Sequence, residues 1–178
     1  MKIYHYTSRY VLDEIRKSHV LKAKSNPQNM YLELTSEAKN CARRDKYIVG
    51  LFDMFDSGWL KSGLMNILFQ HIGDEIVTIE CPIFNSNDTF VRDHNLFSPA
   101  RYKELSGQNV DFLQLDLRLE IKHKFVKTMI SDYYDSSILL KDYKWNYIAP
   151  EVWLAQNTPL NGCRYLNRIT TEPLSILF

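Results

Sequence analysis

The sequence predicts an α+β fold, and three features carry that expectation. A strand, a helix cap and a helix follow one another twice near the start; a β-rich run from Glu75 to Ile83 sits mid-chain; aromatic and β-branched residues crowd the last third. At 178 residues the chain has the size of one domain, 1–178, long enough to bury a core without staples.

Ile3, Tyr4 and Tyr6 around His5 form a short β-prone run, and Thr7-Ser8 supply N-cap hydroxyls for a helix over Arg9 to Ser18. In that helix Val11, Leu12 and Ile15 share a face while Asp13, Glu14, Arg16 and Lys17 fall elsewhere, the split of a surface helix packed on a sheet. Val20-Leu21-Lys22-Ala23 reads as a second short strand. Ser25 to Asn29 is turn chemistry, Met30 to Leu34 alternates as a strand, and Thr35-Ser36-Glu37-Ala38 caps a further helix.

Ala38 to Ile72 has helical character, broken at Asp56-Ser57-Gly58, with Trp59, Leu60, Leu64, Ile67 and Leu68 at helical spacing; two helices are expected. Glu75 to Ile83 is expected to be a central strand. Asn85 to Gly107, rich in Asn, Asp and Ser, reads as a long loop with one short helix at Pro99 to Leu105. Leu117, Ile121, Phe125 and Met129 recur by fours and predict a helix over Asp116 to Tyr134, although Val110 to Leu119 also alternates. Tyr143 to Ala155 concentrates Trp145, Tyr147, Val152 and Trp153, and Arg164 to Phe178 supplies one or two closing strands.

Composition removes several function classes. With 45% hydrophobic and 24% charged residues the chain is ordinary globular material, and a net charge of +1 gives no global attraction to phosphate backbones or anionic lipid. Cys41, Cys81 and Cys163 are odd in number, far apart in sequence and lack C-x-x-C spacing, which argues against a disulfide framework and a zinc site and fits a reduced, cytoplasmic setting. The start, Met1 to His5, lacks a signal-peptide core, and no apolar run approaches the roughly 18 residues of a membrane span, so neither secretion nor insertion is expected. His19, His71, His94 and His123 show no metal-binding spacing, and neither glycine-rich nucleotide loops nor a G-x-S-x-G elbow occurs.

One constellation points to chemistry. Tyr4-His5-Tyr6-Thr7-Ser8, followed by a helix and then by Tyr31-Leu32-Glu33-Leu34-Thr35-Ser36, resembles the opening of ADP-ribosyltransferase-like domains of the His-Tyr-Glu type. The resemblance implies two small mixed or antiparallel sheets split around a cleft that holds NAD as a substrate. It implies that His5, with Tyr6 and Thr7 beside it, grips the adenosine-side ribose, while a nearby backbone edge holds the nicotinamide amide. Thr35, Ser36 and Arg43 join the candidate NAD contacts, and Tyr31 is the residue that stacks nicotinamide. Breaking the N-glycosidic bond of NAD passes through an oxocarbenium-like state, which calls for a carboxylate beside the developing positive charge. Glu151 in Pro150-Glu151-Val152-Trp153 is the first candidate and Glu80 the second.

The family's aromatic pair after the second motif has no counterpart apart from Tyr31 or Tyr47, and the absence of a Glu-x-Glu turn argues against an arginine acceptor. The implied activity is that of a glycosyltransferase passing ADP-ribose to a macromolecular acceptor, protein or nucleic acid, in the format of toxins and phage-encoded modifiers. Two alternatives stay open: a relative that hydrolyses NAD or acts on an RNA phosphate, and a catalytically silent binding or inhibitor protein. Arg43-Arg44 suit a pyrophosphate or a nucleic-acid acceptor, with a solvated position as the plain alternative. Plain alternatives also hold for His5 as a hydrogen-bonded structural residue, Tyr31 as core, Glu151 as a helix cap after Pro150, and Arg118, Lys122, Lys124 and Lys127 as a solvated face.

Overall fold

The computed structural model describes residues 1–23, 47–73, 75–110 and 124–169. In chain order the elements are β1 (Lys2–Ser8), α1 (Arg9–Ser18), β2 (Val20–Leu21), β3 (Ile48–Gly50), α2 (Ser57–Lys61), α3 (Leu64–Ile72) and β4 (Ile76–Pro82). There follow β5 (Thr89–Asp93), α4 (Pro99–Ser106), α5 (Lys124–Asp135), β6 (Ile138–Leu139), β7 (Pro150–Leu154), β8 (Thr158–Pro159) and β9 (Arg164–Ile169). The fold is α+β, as the sequence predicts. One antiparallel sheet has the order β1-β4-β9, a second has β3-β7-β5-β6, and β2 pairs with β8.

The two larger sheets meet where Tyr4 and Leu51 exchange backbone hydrogen bonds of 2.7 and 3.0 Å. Gly50 permits that approach, because a Cβ there would lie 2.9 Å from the Tyr4 carbonyl oxygen and 2.8 Å from Ile3 Cδ1. Side chains alternate along β1, so Ile3, His5 and Thr7 face one way and Tyr4 and Tyr6 the other. Ile3 packs with Leu12 and Ile15 of α1, Ile79 and Cys81 of β4, and Ile48, Val91 and Val152 of the second sheet. Tyr6 packs with Leu64, Met65 and Phe69 of α3. On the far face of the second sheet, α5 sets Met129, Ile130, Tyr133 and Tyr134 against Trp153.

Helix α1 forms where expected: the Ser8 hydroxyl accepts from the Val11 amide at 3.3 Å, and Leu12 and Ile15 are buried, worth about 1.5–3 kcal/mol each. Two helices are expected between Ala38 and Ile72, on either side of a break at Asp56-Ser57-Gly58. Instead Asp56 caps α2, which includes Ser57 and Gly58, and α2 and α3 both lie in the second half. Of the first half, residues 38–46 are outside the described residues and Ile48–Gly50 is a strand. Ile48 and Val49 are β-branched, and pairing with Leu154 and Trp153 decides their conformation against local helical spacing. The stretch Asn85 to Gly107 is likewise more than a loop, since it holds β5 in the interior of the second sheet. Arg92 and Asp93 disguise that strand: Arg92 is enclosed by rings, and the Asp93 carboxylate accepts from the amides of Asn95, Ile148 and Ala149 at 3.0–3.2 Å. No helix among the described residues is long and apolar enough to cross a membrane.

Candidate functional site

The site begins where β1 and β3 part. Continuing the antiparallel ladder past Tyr4 and Leu51 would give the Val49 carbonyl to the Tyr6 amide. The His5 side chain takes that carbonyl instead, through Nδ1 at 2.7 Å. A carbonyl only accepts, so Nδ1 carries the proton, and in the neutral ring Nε2 is the acceptor nitrogen. His5 therefore stands as a wedge at the split, held in orientation by the backbone of β3.

Beside this wedge lies an open cavity of about 230 Å³ between α1, β2 and the start of β3, lined by His5, Glu14, Ser18, Lys22, Tyr47 and Ile48 among others. Val11, Glu14, Ile15 and Ser18 line it from one helical stripe, spaced i, i+3, i+4 and i+7 along α1. An apolar floor with a few convergent polar groups is the usual make-up of a small-molecule site. Tyr47 borders the cavity, but its ring is buried on the other face of the sheet, edge-on to Trp153 at 4.8 Å between centroids and 5.8 Å from the Arg92 guanidinium carbon.

The structure brings only part of the expected constellation together. His5 lines the cavity; Tyr47, the alternative stacking residue, borders it but keeps its ring in the Trp153 cluster on the other face. Tyr6 lies on the opposite face of β1, with its hydroxyl donating to the Met54 carbonyl and its ring packed on Phe69. Thr7 shares the face of His5 but is buried opposite Val77. Tyr31, Thr35, Ser36, Arg43 and Arg44 fall outside the described residues.

Glu151 sits elsewhere. It is on β7, directly opposite Arg92 of β5, on the face that packs against α5 and away from Val152 and Ile48. Its Oε2 accepts from the Tyr133 hydroxyl and from Trp153 Nε1 at 2.7 Å. Arg92 is 1% exposed, with its guanidinium carbon 4.0 Å from the Trp153 ring centre and 4.8 Å from that of Tyr134, and its Nε donates to Ser137. Burial, and then the charge of Glu151, pushes the Tyr133 hydroxyl well above its ordinary range; burial pushes Tyr134 up to about 12, against the pull of Arg92. Strand parity thus places Glu151 in a buried polar core on the other side of β7 from the His5 cavity.

Glu80, the second carboxylate candidate, also faces away from His5. It lies opposite Tyr4 on β4 and pairs with Lys2 at 2.8 Å and Arg164 at 3.6 Å. The hydrogen bond from Lys2 leads the effects that hold its carboxyl below the usual carboxylate value. Among the described residues, the carboxylate that lines the cavity is Glu14. The sequence sets Glu14 off the apolar face of Val11, Leu12 and Ile15, and its spacing of three from Val11, which puts it at the border of that face, is the one signal for it.

Comparison with family models, with curated proteins and with solved structures finds no match to this chain.

Proposed function

We propose that this chain is an ADP-ribosyltransferase-like protein that takes NAD at the His5 cavity and passes ADP-ribose to a macromolecular acceptor, protein or nucleic acid. The observation that carries the reading is the position of His5: on the first strand, at the split between two antiparallel sheets, lining a cavity with Tyr47. At about 230 Å³ the cavity is smaller than the roughly 300–1,000 Å³ of typical ligand sites, which suits one nucleoside half of the dinucleotide. In this reading His5 holds a ribose hydroxyl and Glu14 faces the ribose carbon whose bond to nicotinamide breaks. Nicotinamide leaves with the bonding electron pair, the carboxylate stabilises the positive charge on the sugar, and the acceptor adds to that carbon as it loses its proton.

The engagement of Glu151 by Tyr133 and Trp153 favours a second reading, in which the cavity binds NAD without transfer. Incubating the purified protein with labelled NAD and a total lysate, with and without nuclease, separates the two. Label on protein or on nucleic acid is the expected result and names the acceptor class. Nicotinamide released without label identifies a hydrolase, NAD bound without release identifies a binding protein, and no interaction at all overturns both readings.

A further inference from the structure

Cys81 and Cys163 are 82 positions apart in the chain, yet their sulfurs lie 3.5 Å apart. The sheet explains the meeting. Antiparallel pairing of β4 with β9 puts Ile79 opposite Tyr165 and Glu80 opposite Arg164, so Cys81 and Cys163 occupy the next opposed position along the same ladder. Directly opposed residues of an antiparallel pair have Cβ atoms about 4.5–5.5 Å apart, close to the span a disulfide bridges with a small closure. The two thiols differ in access: Cys81 is fully buried on the central strand of its sheet, whereas Cys163 is partly exposed after the turn Leu160–Gly162. The contact with Cys81 holds the Cys163 thiol below its ordinary value; the same contact, and then burial, pushes Cys81 up.

We propose that Cys163 and Cys81 form an oxidation site for hydroperoxides, in which Cys163 is the reacting thiol and Cys81 the resolving one. The Cys163 thiolate attacks the terminal peroxide oxygen: an S–O bond forms, the O–O bond breaks, and the second oxygen leaves, once protonated, as water from hydrogen peroxide or as the alcohol from an organic hydroperoxide. Cys81 then attacks the sulfenic sulfur, the S–S bond forms, the S–O bond breaks, and water leaves with the Cys81 proton. The two thiols give up two electrons and the peroxide accepts them. The product staples β4 to the start of β9, in the same sheet as the strand that carries His5. This inference is independent of what the His5 cavity binds.

The test uses the full-length protein, reduced and then treated with roughly equimolar hydrogen peroxide, followed by non-reducing peptide mapping. The expected result is a Cys81–Cys163 cross-linked peptide in most of the chain, lost on treatment with dithiothreitol, together with a higher Tm in the oxidised form. Cys81→Ala is expected to stop at an oxygenated Cys163. Should that variant fail to fold, Cys41→Ser tests the same point by retaining the cross-link. Cys163 remaining a thiol, advancing to the sulfinic acid with Cys81 unreacted, or linking to Cys41 overturns the proposal.

Discussion

Glu151→Ala is expected to destabilise the protein by about 3–5 kcal/mol, the cost of breaking a buried charged cluster by removing one partner. The carboxylate is the acceptor for Tyr133 and Trp153, and Arg92 stands opposite it with 1% exposure. Removing it leaves the Tyr133 hydroxyl and the Trp153 indole N–H in the core without this acceptor, and the Arg92 guanidinium without the carboxylate opposite it. For a chain of this length the loss lowers Tm by about 10 °C, measured by thermal unfolding followed by circular dichroism. Glu151→Gln keeps an acceptor oxygen and loses less. An alanine variant with unchanged Tm and lost ADP-ribose transfer would instead make Glu151 the catalytic carboxylate.

Gly58→Ala has the second large expected effect. Gly58 is the second residue of α2, whose cap is the Asp56 carboxylate, accepting from the amides of Gly58 at 2.9 Å and Trp59 at 3.0 Å. A Cβ on Gly58 would fall on the Ile148 carbonyl oxygen. That carbonyl has no room to retreat, since the amides of Ile148 and Ala149 are tied to the Asp93 carboxylate and the Pro150 carbonyl accepts from Trp59 Nε1 at 3.0 Å. Either α2 lifts and loses its cap and the Trp59 contact, or the Asp93 network opens, at a cost of about 3 kcal/mol. Urea titration is expected to show a lower midpoint for Gly58→Ala and an unchanged one for Ser57→Ala. Equal midpoints for the two would contradict this packing.

The elements readable from the sequence are those with local signals. β1 and α1 announced themselves by a β-prone run, a serine cap and an apolar stripe, and β4 by alternation. What sequence reading missed depends on pairing across distance. β5 carries Arg92 and Asp93, which look like loop residues until Trp153, Tyr134 and the amides of Ile148 and Ala149 are around them. β3 sits within a helical pattern and becomes a strand through β7.

The same holds for the site. His5 was legible from its strand, but the side of β7 that Glu151 faces is set by strand parity and register, which a Pro-Glu-Val-Trp string does not carry. Glu14 was hidden because an acidic residue on a surface helix is ordinary, and only the cavity beside it gives it meaning. The cysteines separated in sequence by 82 positions became neighbours through the β4–β9 ladder.

The central claim is that the cavity at His5 holds NAD, and calorimetric titration of NAD into the wild-type protein and into His5→Ala tests it directly. The account predicts one NAD per chain for the wild type and at least about tenfold weaker binding for His5→Ala, the loss of one well-made polar contact, in a variant that still unfolds cooperatively. No heat from NAD in the wild type, or equal affinity in the two proteins, would contradict it.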